Sequence, residues 1–147
     1  MIFTDNKLLL EVYLKHHLQD KVMPNATLYE IAPILSRMMN HLSGVAGILK
    51  VQGAPEYLVN AGLFHSVYGE EHNRTRSMDS VFSRKKLKEI IGERAEEIVY
   101  QFATIPFDRT KNIKAMPESE LASDLRWLDI ANEMDMKGLK NETNGTV

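Results

Sequence analysis

Apolar residues recur along this chain at steps of three and four, the period of an α-helix with one buried face. Leu8, Leu9, Val12, Tyr13 and His16 predict a first helix of about 15 residues. Asn25-Ala26-Thr27 is a polar break that supplies a capping residue. Leu28, Ile31, Ile34, Leu35, Met38, Met39, Leu42, Val45, Ile48 and Leu49 then form one long stripe, with a bend expected at Pro33. Gly53-Ala54-Pro55 ends that helix and opens the next, with Pro55 in its first turn. Residues 56–68 are apolar nearly all round, which predicts a central helix, stopped by Gly69. Residues 70–79 are polar and charged and read as a loop. Ser83 caps a helix that turns Leu87, Ile90 and Ile91 inward, and Gly92 separates it from one carrying Ala95, Ile98, Val99 and Phe102. Ile105-Pro106-Phe107 opens a second polar loop that lasts to Pro117. The last helix is expected over residues 118–137, with Leu121, Leu125, Leu128, Ala131, Asn132 and Met134 along it. No strand, repeat or linker stands out. The pattern predicts one compact all-α domain over residues 1–140, built of five to seven helices, and a flexible tail over 141–147.

Composition narrows the partners. The chain has 147 residues, enough for one domain with a core of its own, and 44% of them are hydrophobic. A net charge of −2 lacks the basic surplus that nucleic acid demands. There are no cysteines, which excludes disulfides and thiolate metal sites. Asp5 interrupts the apolar N-terminal residues and no basic segment precedes them, so no signal peptide is expected. No stretch nears the roughly 18 apolar residues of a membrane span. These features predict a small cytoplasmic protein whose partners are neither nucleic acid nor membrane.

The chemistry concentrates around two histidines. His41 lies in Met38-Met39-Asn40-His41-Leu42-Ser43 and His65 in Leu63-Phe64-His65-Ser66-Val67-Tyr68-Gly69-Glu70, each within an apolar helical stretch. Two imidazoles on neighbouring helices can hold a metal, or act as an acid and base near neutral pH. A histidine in an apolar helix is also a common core residue that hydrogen-bonds a neighbour. Beyond the pair, Tyr68 is expected at the edge of a pocket, and Arg74, Arg76, Arg84, Lys85 and Lys86 form a basic patch able to take phosphate or another anion. Asp129 and Asn132 are spaced to share a helix face. The eight methionines and Trp127 read as core filling.

The order and spacing of these residues resemble the HD superfamily of helical metal-dependent phosphohydrolases. That superfamily uses a His on one helix, a His-Asp pair on a later one and an Asp on the last. The hydrolase domain of the RelA/SpoT alarmone enzymes offers the comparison. Its Leu-Leu-His-Asp-Val-Ile-Glu-Asp block is matched by residues 63–70, its following glycine-led helix by Ile91-Gly92-Glu93-Arg94, and its final Leu-Ala-Asp-Arg-Leu block by residues 128–134. The block Gly62 to Gly69 also resembles that of small bacterial proteins of HD type in which His-Ser replaces His-Asp. The resemblance spans about residues 36–138 and implies an HD/phosphodiesterase-like fold.

What it implies for chemistry is altered by three substitutions. The aspartate of the His-Asp pair falls on Ser66, the last-helix aspartate on Asn132, and the catalytic glutamate of the alarmone hydrolases on Gly69, beside Glu70. Two imidazoles without an anion leave a divalent ion's charge uncompensated, so the balance tilts against a tightly held Mn, Fe or Zn. Three readings follow. The first is a divergent hydrolase or lyase in which His41 and His65 are metal ligands or an acid–base pair, Glu70 is the base, and Arg74 and Arg76 hold an anionic, phosphorylated substrate. The second is a non-catalytic ligand-binding or regulatory module in which Ser66, Tyr68 and Asn132 read a ligand by hydrogen bonds. The third is a structural oligomerisation domain with a vestigial pocket.

Overall fold

A computed structural model describes residues 2–19, 25, 27–68 and 83–143. Within them the chain is all-α, with seven helices: α1 (Asn6–Gln19), α2 (Leu28–Val51), α3 (Glu56–Phe64), α4 (Arg84–Ile91), α5 (Glu93–Thr104), α6 (Arg109–Lys114) and α7 (Glu120–Thr143). No helix among the described residues is long and apolar enough to cross a membrane.

Local chemistry sets the helix boundaries. Asp5 accepts from the Leu8 amide at the start of α1. At the start of α2, Thr27 accepts from the Glu30 amide while the Glu30 carboxylate reaches back to the Thr27 amide, a capping box. The helix then runs through Pro33 as one element. Pro33 and Tyr29 are both exposed, so the carbonyl left without a partner by the missing N–H lies on the water-facing side. Gly53, at a φ of 82°, ends α2. The Ala54 amide donates to the Leu49 carbonyl and the Gly53 amide to that of Lys50, the paired bonds of a Schellman motif. Pro55 stands one position before α3 rather than in its first turn. Ser83 caps α4, and Gly92, at a φ of 91°, joins α4 to α5.

Three elements differ from expectation. Helix α3 stops at Phe64, not at Tyr68, and residues 65–68 continue as turns. His65 Nδ1 lies 2.7 Å from the Gly62 carbonyl, which a continuing helix would have offered to the Ser66 amide. The stretch between Ile105 and Pro117 contains the short α6, whose single buried residue, Ile113, is too little to make a period. Helix α7 passes Lys137 and takes in the first residues assigned to the tail, to Thr143. Residues 144–147, and Gly69 with the 70–79 stretch, lie outside the described residues.

Helix α3 is the centre of the bundle. Leu58, Val59, Ala61, Gly62 and Phe64 are buried on it, and α2, α4, α5 and α7 all pack around it. A Cβ on Gly62 would lie 3.0 Å from Leu49 Cδ1 and 3.5 Å from the Ala46 Cα, so glycine there sets how closely α3 approaches α2. Phe3 and Tyr13 both pack on the Phe64 ring, which ties the N-terminal segment to the central helix. Helix α7 contributes Ala122, Leu125, Leu128 and Ala131, all fully buried. Trp127 is only half-buried, and its indole N–H donates to Gln52 at 2.7 Å. Met38 and Met39 pack on the core as expected, but Met134 and Met136 are exposed.

Candidate functional site

The close approach of α2, α3 and α7 brings together three of the residues singled out in the sequence. The rings of His41 on α2 and His65 at the end of α3 lie edge to face, with centroids 5.3 Å apart. Asn132 on α7 reaches both. Its Oδ1 is 2.8 Å from His41 Nε2, and its side chain also acts on the His65 imidazole electrostatically. The other nitrogen of His41, Nδ1, lies 2.6 Å from Asp135 Oδ2, one turn further along α7. The Asp135 carboxylate can only accept, so His41 Nδ1 carries the proton of that hydrogen bond.

Asp135 was not foreseen. It has room because α2 carries Gly44 opposite it: a Cβ there would come within 2.8 Å of the Asp135 Cγ, and nearer still to Oδ1. The signal that could have found it is the spacing Asp129, Asn132, Asp135 at successive steps of three, which keeps all three on one side of α7.

His65 is buried and neutral. Loss of water pushes its imidazole well below its ordinary range, to about 3, and the charges of His41 and Arg109 push the same way. Its Nδ1–H donates to the Gly62 carbonyl, which fixes the tautomer and leaves Nε2 with the lone pair. The ring packs edge-on against Phe102, and Arg109 lies over the opposite part of the same cluster, its guanidinium 4.0 Å from the Phe102 ring centre. Arg109 is the second contributor that the sequence pattern did not mark. Ser66 is buried beside His65. Asp129 is buried, accepts a hydrogen bond from Thr110 at 2.8 Å, and has its carboxyl pushed above the usual range by burial.

Tyr68 sits elsewhere than expected. It is buried, and its hydroxyl donates to Glu96 at 2.7 Å. Glu96 is fully buried and also receives two hydrogen bonds from Arg84, whose guanidinium stacks 3.6 Å above the Tyr100 ring. Burial and the Glu96 carboxylate both raise the Tyr68 phenol, so it keeps its proton. Arg84 is thereby removed from the basic patch, of which Lys85 and Lys86 remain exposed. Glu70, Arg74 and Arg76 lie outside the described residues.

Both nitrogens of His41 have partners within the protein, Asp135 at Nδ1 and Asn132 at Nε2. Among the described residues no three His, Asp or Glu side chains are grouped as metal ligands are.

A family model, described as a domain of unknown function (DUF6817), matches residues 25–107, more than half of the chain. The chain belongs to the DUF6817 family. The matched span runs from the cap of α2 to just beyond α5, and so includes His41, Gly44 and His65. Helices α6 and α7 of this DUF6817 protein, with Arg109, Asn132 and Asp135, lie beyond it. No curated protein and no solved structure matches the chain.

Proposed function

We propose that this DUF6817 protein is a metal-independent ligand-binding module of HD-like build that receives a small anionic, in particular phosphorylated, metabolite beside His41 and His65. The observation that carries this reading is the engagement of His41 by Asp135 and Asn132. It gives both ring nitrogens partners within the protein, without a cation. Arg109 supplies a positive group close by. A buried, neutral His65 supplies a polar contact whose charge does not change near neutral pH. The HD-like ancestry rests on the residues quoted above, and it accounts for a polar cluster persisting in the middle of a helical bundle. On this reading the protein works in the cytoplasm on a small molecule.

The test is a thermal-shift screen of phosphorylated and carboxylated metabolites, with elemental analysis of the same preparation and product analysis by phosphorus NMR. The expected result is a ligand that raises Tm without being converted, stabilising the fold by about 2.7 kcal/mol at a hundredfold excess over its Kd. The shift should vanish in His41→Ala and Asp135→Ala. One equivalent of bound divalent metal, lost together with phosphoester turnover in His65→Ala, would overturn the reading in favour of a hydrolase. A screen without any shift would count against it as well.

A further inference from the structure

One face of α7 lies open among the described residues. Trp127, Ile130 and Met134 recur along it at steps of three and four, with Trp127 half-buried, Ile130 54% exposed and Met134 45% exposed. Large apolar side chains set side by side along one helix mark an interaction surface more than scattered ones do. The two edges of this face differ. On the α2 edge, Gln52 accepts from the Trp127 indole at 2.7 Å and donates to the Met134 sulfur at 3.8 Å, so Trp127 and Met134 share one border. On the α6 edge stand Arg126 and Glu133, which line the groove between α6 and α7. Arg126 donates to Glu118 and to the Met116 carbonyl, and its guanidinium has further donors to give. Glu133 has no Lys, Arg or His within ion-pair distance among the described residues.

These edges fit a second copy of the same helix, running the other way. A two-fold axis through Ile130 sets residues equally far before and after that position side by side, and brings like edge against like edge. Trp127 and Met134 stand three residues before and four after Ile130; Arg126 and Glu133 stand four before and three after. Each pair therefore comes level across the axis to within one residue, and each is made twice. Ile130 meets itself, the Trp127 ring meets the Met134 sulfur of the other copy, and Arg126 meets the Glu133 carboxylate. Parallel pairing would bring opposite edges together and set each Glu133 against an uncharged Met134. The charge pattern thus selects both the partner and its direction. We propose that α7 pairs antiparallel with α7 of a second copy of this chain, with Ile130 on the two-fold axis, Trp127 packed on Met134 along one edge and Arg126 paired with Glu133 along the other.

Sedimentation equilibrium of the full chain should show a reversible dimer. Ile130→Glu sets two carboxylates against each other on the axis, and Glu133→Arg or Arg126→Glu opposes like charges along the edge, so each should weaken self-association at least about tenfold. The two reversed chains, once both are shown folded by circular dichroism, should associate with each other when mixed, because each then carries the charges that the other lacks. The chain has no cysteine, so Ile130→Cys treated with oxidised glutathione should give a disulfide-linked dimer. Met136→Cys should not, since Met136 is exposed but six residues on, and so off this face. A monomer at every concentration up to about 1 mM, an undiminished dimer in Ile130→Glu, or folded reversed chains that fail to associate when mixed would each overturn the proposal. Linkage through Met136→Cys as ready as through Ile130→Cys would overturn it too, by assigning the contact to another face.

Discussion

Gly44→Ala and Gly47→Ala are the same chemical change made three residues apart on α2, and they should move stability in opposite directions. Replacing an exposed helix-interior glycine by alanine ordinarily stabilises by about 1 kcal/mol, through the lower entropy of the unfolded chain. Gly47 meets that condition, because a Cβ there touches nothing within 4 Å. At Gly44 the same methyl would press into the Asp135 carboxylate, 2.8 Å from its Cγ. The carboxylate can yield only by swinging away from His41, and so by giving up the 2.6 Å hydrogen bond. A hydrogen bond to a charged group contributes about 1.5–3 kcal/mol. His41 and Asp135 retain 23% and 15% of their side-chain exposure, which argues for the lower half of that range. The net for Gly44→Ala is a loss of roughly 0.5–1 kcal/mol, against a gain of about 1 for Gly47→Ala. At about 2–4 °C per kcal/mol for a chain of this size, the two variants should differ in Tm by several degrees, with wild type between them. Urea unfolding gives the same comparison. An Asp135→Ala background supplies the decisive control: with the carboxylate gone, Gly44→Ala should become stabilising, like Gly47→Ala. If Gly44→Ala is as stable as Gly47→Ala in the wild-type background, the packing argument for Asp135 is wrong.

Three further outcomes follow from the same site and its neighbours. A buried His65 titrating near 3 takes up its proton later than the unfolded chain does on acidification, so its contribution is complete above about pH 6.5 and is lost as pH falls toward 3. Urea midpoints of wild type and His65→Gln across that window should show the steeper acid loss in wild type, by up to roughly 4 kcal/mol; parallel profiles would refute the buried neutral ring. The raised carboxyls of Asp124 and Asp129 act with the opposite sign, and the comparison of the two chains cancels them. Glu96→Ala strands Arg84 and the Tyr68 hydroxyl, and should cost about 2–3 kcal/mol by chemical denaturation. That is the low end for a broken buried pair, because Arg84 remains 32% exposed; a loss below 0.5 kcal/mol, the scale of an ordinary surface change, would refute it. Finally, Ser66→Asp combined with Asn132→Asp restores the two carboxylates that the HD resemblance implies. The double variant should take up about one manganese or zinc ion by elemental analysis and gain Tm with it. No uptake would count against an HD-like disposition of these positions.

The long helices were legible because each exposes its period many times over: α2 repeats its apolar step through Leu35, Leu42 and Leu49, and α7 through Leu121, Leu125 and Leu128. Helix α6 was not, since six residues with one buried isoleucine hold no period to read. The end of α3 was hidden for a different reason. Residues 65–68 are as apolar as those before them, and what stops the helix is the bond of the His65 ring to the Gly62 carbonyl, a side-chain event invisible to hydropathy. The same division runs through the site. His41, His65 and Asn132 could be picked out because their polarity interrupts apolar faces. Asp135 escaped because two methionines flank it and because its importance depends on the absence of a side chain at Gly44, on another helix. The Tyr68 hydroxyl was misplaced since the fully buried Glu96 that takes it sits in a charged run, Glu93-Arg94-Ala95-Glu96-Glu97, that reads as a solvated face. A carboxylate gains meaning in such a chain from what is opposite it. Asp135 illustrates the point best: set between two methionines on α7, it takes its role from His41 on α2, in the room that Gly44 leaves.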